Sequence, residues 1–151
     1  MKTIVTLVDF SDATFKVLKQ AHAMGKAFQS HVVLLHVVPQ EPVAVGFGLA
    51  SPTMLREPTE ESITEDQTKL AELKESLTKF GIDVSVRQLV ESDVNKVLAE
   101  VQGLGAELMI MGSHSHGALY NWLVGSTTAD ILKHARCPVL VVPIEIPVEK
   151  K

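Results

Sequence analysis

The chain has 151 residues with a formal net charge of −4, and 46% of them are hydrophobic and 21% charged, which predicts one globular domain with a sizeable core. The acidic balance and the lack of a basic stripe argue against nucleic-acid backbones and anionic membrane surfaces as partners, and no apolar run reaches bilayer-spanning length. Aromatic residues make up only 5%, so the core must be mainly Val, Ile, Leu and Ala, which suits helices packed on a parallel sheet.

From the N-terminus, the apolar stretch within Met1 to Asp9 is too short for a signal peptide, and residues 3–9 predict a strand buried on both faces. Ser11 or Asp12 is placed to cap the next helix, whose apolar positions Val17, Leu18, Ala21, Met24, Gly25 and Phe28 follow helical spacing. Residues 31–38 predict a second buried strand, ended by Pro39. Residues 39–58 also carry Pro42, Gly46, Gly48, Pro52 and Pro58. They predict a flexible loop with a short helical piece at most, and loops of that length are usually functional or disordered. A helix follows over roughly 59–80, with Leu70, Leu73, Leu77 and Phe80 as its buried stripe and Gly81 as its stop.

Residues 82–90 predict a third strand. Ser92 or Asp93 starts a helix with Val94, Val97, Leu98 and Val101 inward, closed by Gly103 and Gly105. A fourth strand over 106–112 runs into a glycine-rich segment. A helix from about Ser126 to His134, with Ile131 and Leu132 inward, and a fifth strand over 137–143 complete a domain of residues 1–143. Residues 144–151 read as a tail. Cys137 is the only cysteine, which rules out an intrachain disulfide and makes a reducing cytoplasm the simplest compartment.

Strands alternating with helices imply an α/β fold: one three-layer domain, a five-stranded parallel sheet with helices on both faces. Right-handed crossovers limit the topologies. A flavodoxin- or Rossmann-like winding with the first strand central places a ligand beyond the strand ends where the winding reverses. The strands flanking that crevice are then the first and the fourth, ending at Asp9 and Gly112.

The stretch Met109-Ile110-Met111-Gly112-Ser113-His114-Ser115-His116-Gly117, followed by Gly125-Ser126-Thr127-Thr128, carries the chemistry. A phosphate chain needs several N–H donors, little side-chain bulk and, best, a helix N-terminus aimed at the charge. Gly112 permits a tight exit from the strand, Ser113 and Ser115 are small donors, Gly125 lets main chain approach, and Ser126 adds a hydroxyl at the first turn of the last helix. Neither Gly-x-x-x-x-Gly-Lys-Ser/Thr nor Gly-x-Gly-x-x-Gly after the first strand is present.

The frame Gly112-x2-Ser115-x9-Gly125-Ser126, followed by Ala135-Arg136-Cys137-Pro138-Val139-Leu140-Val141-Val142, resembles the universal stress protein family, whose signature is Gly-x2-Gly-x9-Gly-Ser/Thr. Val8-Asp9-Phe10-Ser11 and Leu34-Leu35-His36-Val37 also look like that family's first two strands, so the similarity covers roughly residues 1–143. The resemblance implies a fold related to the adenine nucleotide alpha hydrolases and, in one branch, ATP or another adenine nucleotide such as AMP or ADP in the crevice. By position it implies Asp9 at the adenosine end, the main chain of Val37 against adenine, and Gly112, Ser115, Gly125, Ser126 and Thr127 around the ribose and phosphates. The turn Val90-Glu91-Ser92-Asp93 borders the ribose side, and Mg2+ can accompany the phosphates without a dedicated protein ligand. The resemblance further implies a homodimer paired through the last strand, whose Val139 to Val142 edge a monomer leaves exposed. Ser115 departs from the signature: if the position needs positive φ, serine is strained there by about 1 kcal/mol; if it needs only a small residue, its hydroxyl is a further donor.

Other readings of these residues stay open. Asp9 and Ser126 also fit helix caps, and Gly112 and Gly125 also fit plain turns. The His114-x-His116 pair lacks further ligands at metal-site spacing. Cys137 reads as a small apolar residue, and no Ser-His-Asp order stands out, so no catalytic residue is assigned. The function expected is a cytoplasmic stress-response protein with ATP as a regulatory ligand. The alternatives are a dimeric interaction module that binds no nucleotide, or a slow ATPase; the protein partner is unknown.

Overall fold

The structure, a computed structural model, describes residues 1–38, 41–45, 49–90, 93–113 and 127–144; for 41–45, 49–56 and 127–129 it describes the main chain. In chain order the elements are β1 (Thr3–Leu7), α1 (Thr14–Phe28), β2 (His31–Val38), β3 (Glu41–Val45), β4 (Leu49–Arg56), α2 (Glu60–Thr78), β5 (Asp83–Val90), α3 (Val94–Gly103), β6 (Leu108–Gly112), α4 (Thr127–His134) and β7 (Val139–Val142). Five of the strands form one sheet in the order β5-β2-β1-β6-β7, and each neighbouring pair in it is parallel. In order of sequence within that sheet this is the 3-2-1-4-5 winding of dinucleotide-binding folds rather than the 2-1-3-4-5 of flavodoxin, and it sets β1 at the centre as expected.

Strand side chains alternate between two cores. On one face Ile4, Val8, Val32, Leu34 and Ile110 pack with Val17 and Ala21 of α1 and Leu70 and Leu77 of α2. On the other, Val5, Leu7, Val33, Leu35 and Met109 pack with Val97 and Val101 of α3 and Ile131 of α4. This double burial is why the strand sequences run apolar without a polar alternate. Thr59 caps α2 by accepting from the Ser62 amide at 3.1 Å, and Asp93 caps α3 by accepting from the Lys96 amide at 2.9 Å.

Several expectations change. The stretch 39–58, expected to be loop, contains the antiparallel pair β3 and β4, with a register shift between Pro42 and Ala44. A two-stranded ribbon has an open edge on each strand, so proline is tolerated where a central strand would reject it. The N-cap of α1 is Ala13, without a side-chain bond, while the Ser11 hydroxyl donates to Asp9. Phe80 is 66% exposed, and Phe28 and Leu132 are also exposed. Helix α2 stops at Thr78 and the chain turns through Gly81 at φ 83°, which carries Phe80 off the helical stripe. Leu132 sits about 100° around α4 from Ile131, and only the latter faces the sheet. Ile144, expected to open the tail, packs on the first core and donates its amide to Ser113 Oγ at 2.9 Å.

Ile110→Ala is expected to cost about 2–5 kcal/mol in urea unfolding. Phe80→Ala, although larger, is expected to cost less than about 1 kcal/mol.

Candidate functional site

The winding reverses between β1 and β6, the place where open α/β sheets offer a crevice beyond the strand ends. Their ladder pairs Thr6 with Ile110; the same register, continued, sets Val8 level with Gly112 and Asp9 level with Ser113. Asp9 is half-buried there. Its Oδ1 accepts from the Ser11 amide at 3.0 Å, the Ser11 hydroxyl at 2.6 Å and the Thr14 hydroxyl at 2.9 Å. One carboxylate oxygen thus lashes the end of β1 to the first turn of α1. Of the open readings of Asp9, the structural one is met in part: it organises the start of α1.

Between these anchors Phe10 adopts φ 61°, a left-handed conformation that costs a bulky side chain about 1–2 kcal/mol. Its ring packs against the first core and, among the described residues, makes two further contacts. The imidazole of His36 lies with its centroid 4.3 Å away at 45°, and Lys69 Nζ of α2 sits 5.5 Å from the Phe10 centroid.

His36 is 4% exposed. Its Nδ1 donates to the Val8 carbonyl oxygen at 2.9 Å, and its Nε2 lies 3.1 Å from Asp66 Oδ2 of α2. Sequence reasoning missed this pair, although its trace was there. Asp66 stands four residues before Leu70 on the stripe that continues to Leu73 and Leu77, an acid on an otherwise buried helix face. His36 likewise interrupts an apolar strand.

The β1–β2 ladder ends at Leu7↔Leu35, whereas β2 continues along β5 to Val38↔Val90. The main chain of Val37 therefore extends past the ladder on its β1 side, while its side chain is buried in the core shared with α3 and α4. Gly112 is buried at the end of β6 and pairs with Val142. Ser113 follows it, donating its amide to the Val142 carbonyl at 2.9 Å. Thr127 opens α4. Because β7 runs parallel to β6 and only residues 135–138 separate it from α4, the N-terminus of α4 lies toward the crevice end of the sheet. Ser115, Gly125 and Ser126 lie outside the described residues, as do His114, His116, Gly117, Tyr120 and Trp122, and Glu91 and Ser92 of the turn after β5. Asp93 of that turn is engaged as the α3 cap.

Two other features lie apart from this crevice. A groove of about 780 Å³ runs between α1 and α2, lined by Phe15, Leu18, Leu73 and Phe80 among others, and reaches the crevice side only at Phe10 to Asp12. At the opposite end of the sheet His31 Nδ1 lies 2.8 Å from Asp83 Oδ2, and His31 Nε2 lies 2.8 Å from Ser85 Oγ. The bonding order is that of a Ser-His-Asp triad, which the sequence did not single out. The Asp83 side chain is 81% exposed, however, and a carboxylate in water does little to hold or polarise an imidazole. The chain of bonds ties β2 to the edge strand β5. Burial raises the Cys137 thiol above its ordinary range, in keeping with an unreactive packing residue.

A model of the universal stress protein family matches residues 1–143. A universal stress protein of Methanocaldococcus jannaschii is 28% identical over 141 residues, spanning 93% of this chain and 81% of that one. Among solved structures, a universal stress protein from Archaeoglobus fulgidus in complex with dAMP has a TM-score of 0.65 at 19% identity, over 94% of this chain and 97% of that one. A universal stress protein in complex with cAMP has a TM-score of 0.66 at 17% identity, over 94% and 96%. Both share this fold.

Asp9→Ala removes one acceptor from three donors and is expected to cost about 1–3 kcal/mol in thermal or urea unfolding. Hydrogen exchange of the Ser11 amide should accelerate in that variant while β5 amides keep their protection.

Proposed function

This chain belongs to the universal stress protein family, and we propose that in the cytoplasm it binds ATP, or another adenine nucleotide such as AMP or ADP, as a regulatory ligand in the crevice beyond β1 and β6. One observation carries the reading: β1, ending just before Asp9, and β6, ending at the small Gly112, flank the point where the winding reverses, and α4, which precedes the parallel strand β7, starts toward that end of the sheet. Nucleotide complexes of two proteins with the same fold support it.

In this reading Asp9 meets the adenosine end and the Val37 main chain lies along adenine. Gly112, Ser115, Gly125, Ser126 and Thr127 surround ribose and phosphates with amides and hydroxyls. A helix N-terminus adds about 0.3–1 kcal/mol per nearby negative charge, and each charge-assisted hydrogen bond about 1.5–3 kcal/mol. A few such bonds, less the ordering cost, support affinity on the order of micromolar. Mg2+, when present, rides on the phosphates. The sequence has no lysine in a phosphate-binding loop, which favours a sensed ligand over a substrate.

The chain also forms a homodimer through β7 in this reading. The carbonyls of Pro138 and Val142 accept from Met109 and Ser113 on the β6 side. Successive strand residues point their main-chain groups to opposite edges, so Val139 and Val141 present theirs to the open edge of the sheet.

Calorimetric titration of nucleotide-stripped protein with ATP is expected to give binding near micromolar, weakened at least about tenfold in Gly125→Val with an unchanged circular dichroism spectrum. No adenine nucleotide taken up at millimolar ATP overturns the reading in favour of an interaction module. Steady ATP turnover lost in Gly125→Val makes the protein a slow ATPase instead. For the dimer, Val141→Pro removes an edge donor without touching the β6 ladder. It should shift sedimentation from dimer to monomer with the fold retained.

A further inference from the structure

We propose that the buried His36–Asp66 pair positions the crevice wall, and does so only while the pair holds one shared extra proton, which makes nucleotide binding pH-dependent; this rests on the nucleotide reading above. Both ring nitrogens face acceptors, the Val8 carbonyl oxygen at 2.9 Å and Asp66 Oδ2 at 3.1 Å. A carbonyl oxygen accepts only a hydrogen, so Nδ1 carries one. A carboxylate likewise only accepts, so the second bond needs a further proton, either on Nε2 or on the carboxyl. The His36 and Asp66 side chains are 5% and 13% exposed, which leaves water little room to replace a lost partner.

The carbonyl that His36 holds belongs to the peptide linking Val8 to Asp9, so the ring sets the plane from which Asp9 leaves the strand. The same ring packs on Phe10 at 4.3 Å, the residue held at φ 61°. Without the extra proton, Nε2 and Asp66 present lone pairs to each other. The pair parts, and the ring no longer holds the Val8 carbonyl and Phe10 together. Among the described residues, the groups held against the ring are the Val8 carbonyl from β1, Phe10 from the turn and Asp66 from α2. The further charges described around this turn are Asp9, bonded to Ser11 and Thr14, and Lys69, over the Phe10 ring. Proton and nucleotide favour the same turn, so each strengthens the other. Rising pH therefore weakens nucleotide binding.

The test reads the pair first in ligand-free protein, by long-range 1H–15N NMR of the His36 ring and 13C NMR of the Asp66 carboxyl. Over a titration from about pH 6 to about pH 9, the Asp9, Phe10 and Ser11 amides should shift together with the signals that report loss of the pair's extra proton. Asp66→Asn is the matched variant. Its amide N–H donates to an unprotonated Nε2, so both bonds survive on a neutral ring and the amide shifts should flatten. Wild-type affinity for ATP should fall roughly fivefold or more between those pH values and Asp66→Asn should lose that fall, with the titration of ATP itself cancelling in the comparison. A pair without the extra proton at low pH, turn amides indifferent to its titration, or an equal ATP response in both proteins overturns the proposal. The expected NMR response in a protein that takes up no ATP leaves the positioning of the turn standing and overturns the nucleotide reading instead.

Discussion

A parallel sheet covered by helices on both faces has no face left for a ligand. Here most hydrophobic residues of β1 and β2 divide between the α1–α2 core and the α3–α4 core, with Thr6 and His36 as buried polar exceptions. Chemistry is therefore confined to the strand ends, where main-chain groups run past the ladder. Crossover handedness then selects one place along that rim, between β1 and β6, where successive connections leave to opposite sides.

That rim is held unevenly. Among the described residues the β6 side shows a glycine, a serine and the neighbouring strand β7, linked by hydrogen bonds from the Ser113 and Ile144 amides. The β1 side is a built turn. Asp9 gathers three donors on one oxygen, and Phe10 is held in a conformation that its side chain disfavours. Such strain persists only where surrounding groups over-determine the backbone, and here they are the His36 ring, the Val8 carbonyl bond and Lys69. The wall of the crevice is thus supported from β2 and α2, elements that do not themselves reach the reversal point.

His31, Asp83 and Ser85 line up because a parallel register places residues of β2 and β5 side by side on one sheet face. The α1–α2 groove, with Phe80 in its lining, touches the turn after β1 at Phe10, Ser11, Asp12 and Thr14.

Much of this was written in local pattern. The stretches 3–9, 31–38, 82–90 and 106–112 marked four strands of the sheet to within two residues, and their alternation with helical stripes pointed to a parallel α/β fold; burial on both faces leaves the central strands largely apolar, whereas the edge strand β5 keeps polar residues such as Asp83, Ser85 and Arg87. Gly112, Asp9 and the family-like frame pointed to the strand ends where the winding reverses. The hairpin of β3 and β4 was hidden, since prolines and glycines read as loop whenever a ribbon has no core to impose alternation. The exposure of Phe80 and Leu132 was hidden too, because a helical stripe states which residues share a face but not where the helix stops or how wide the sheet beneath it is. Above all, the contact of His36 with Asp66 and with the Val8 carbonyl joins residues 28 and 30 positions apart. Spacing along a chain carries no information about such a meeting. It arises only when β1, β2 and α2 dock, because only then does burial remove the water that would otherwise have satisfied each group.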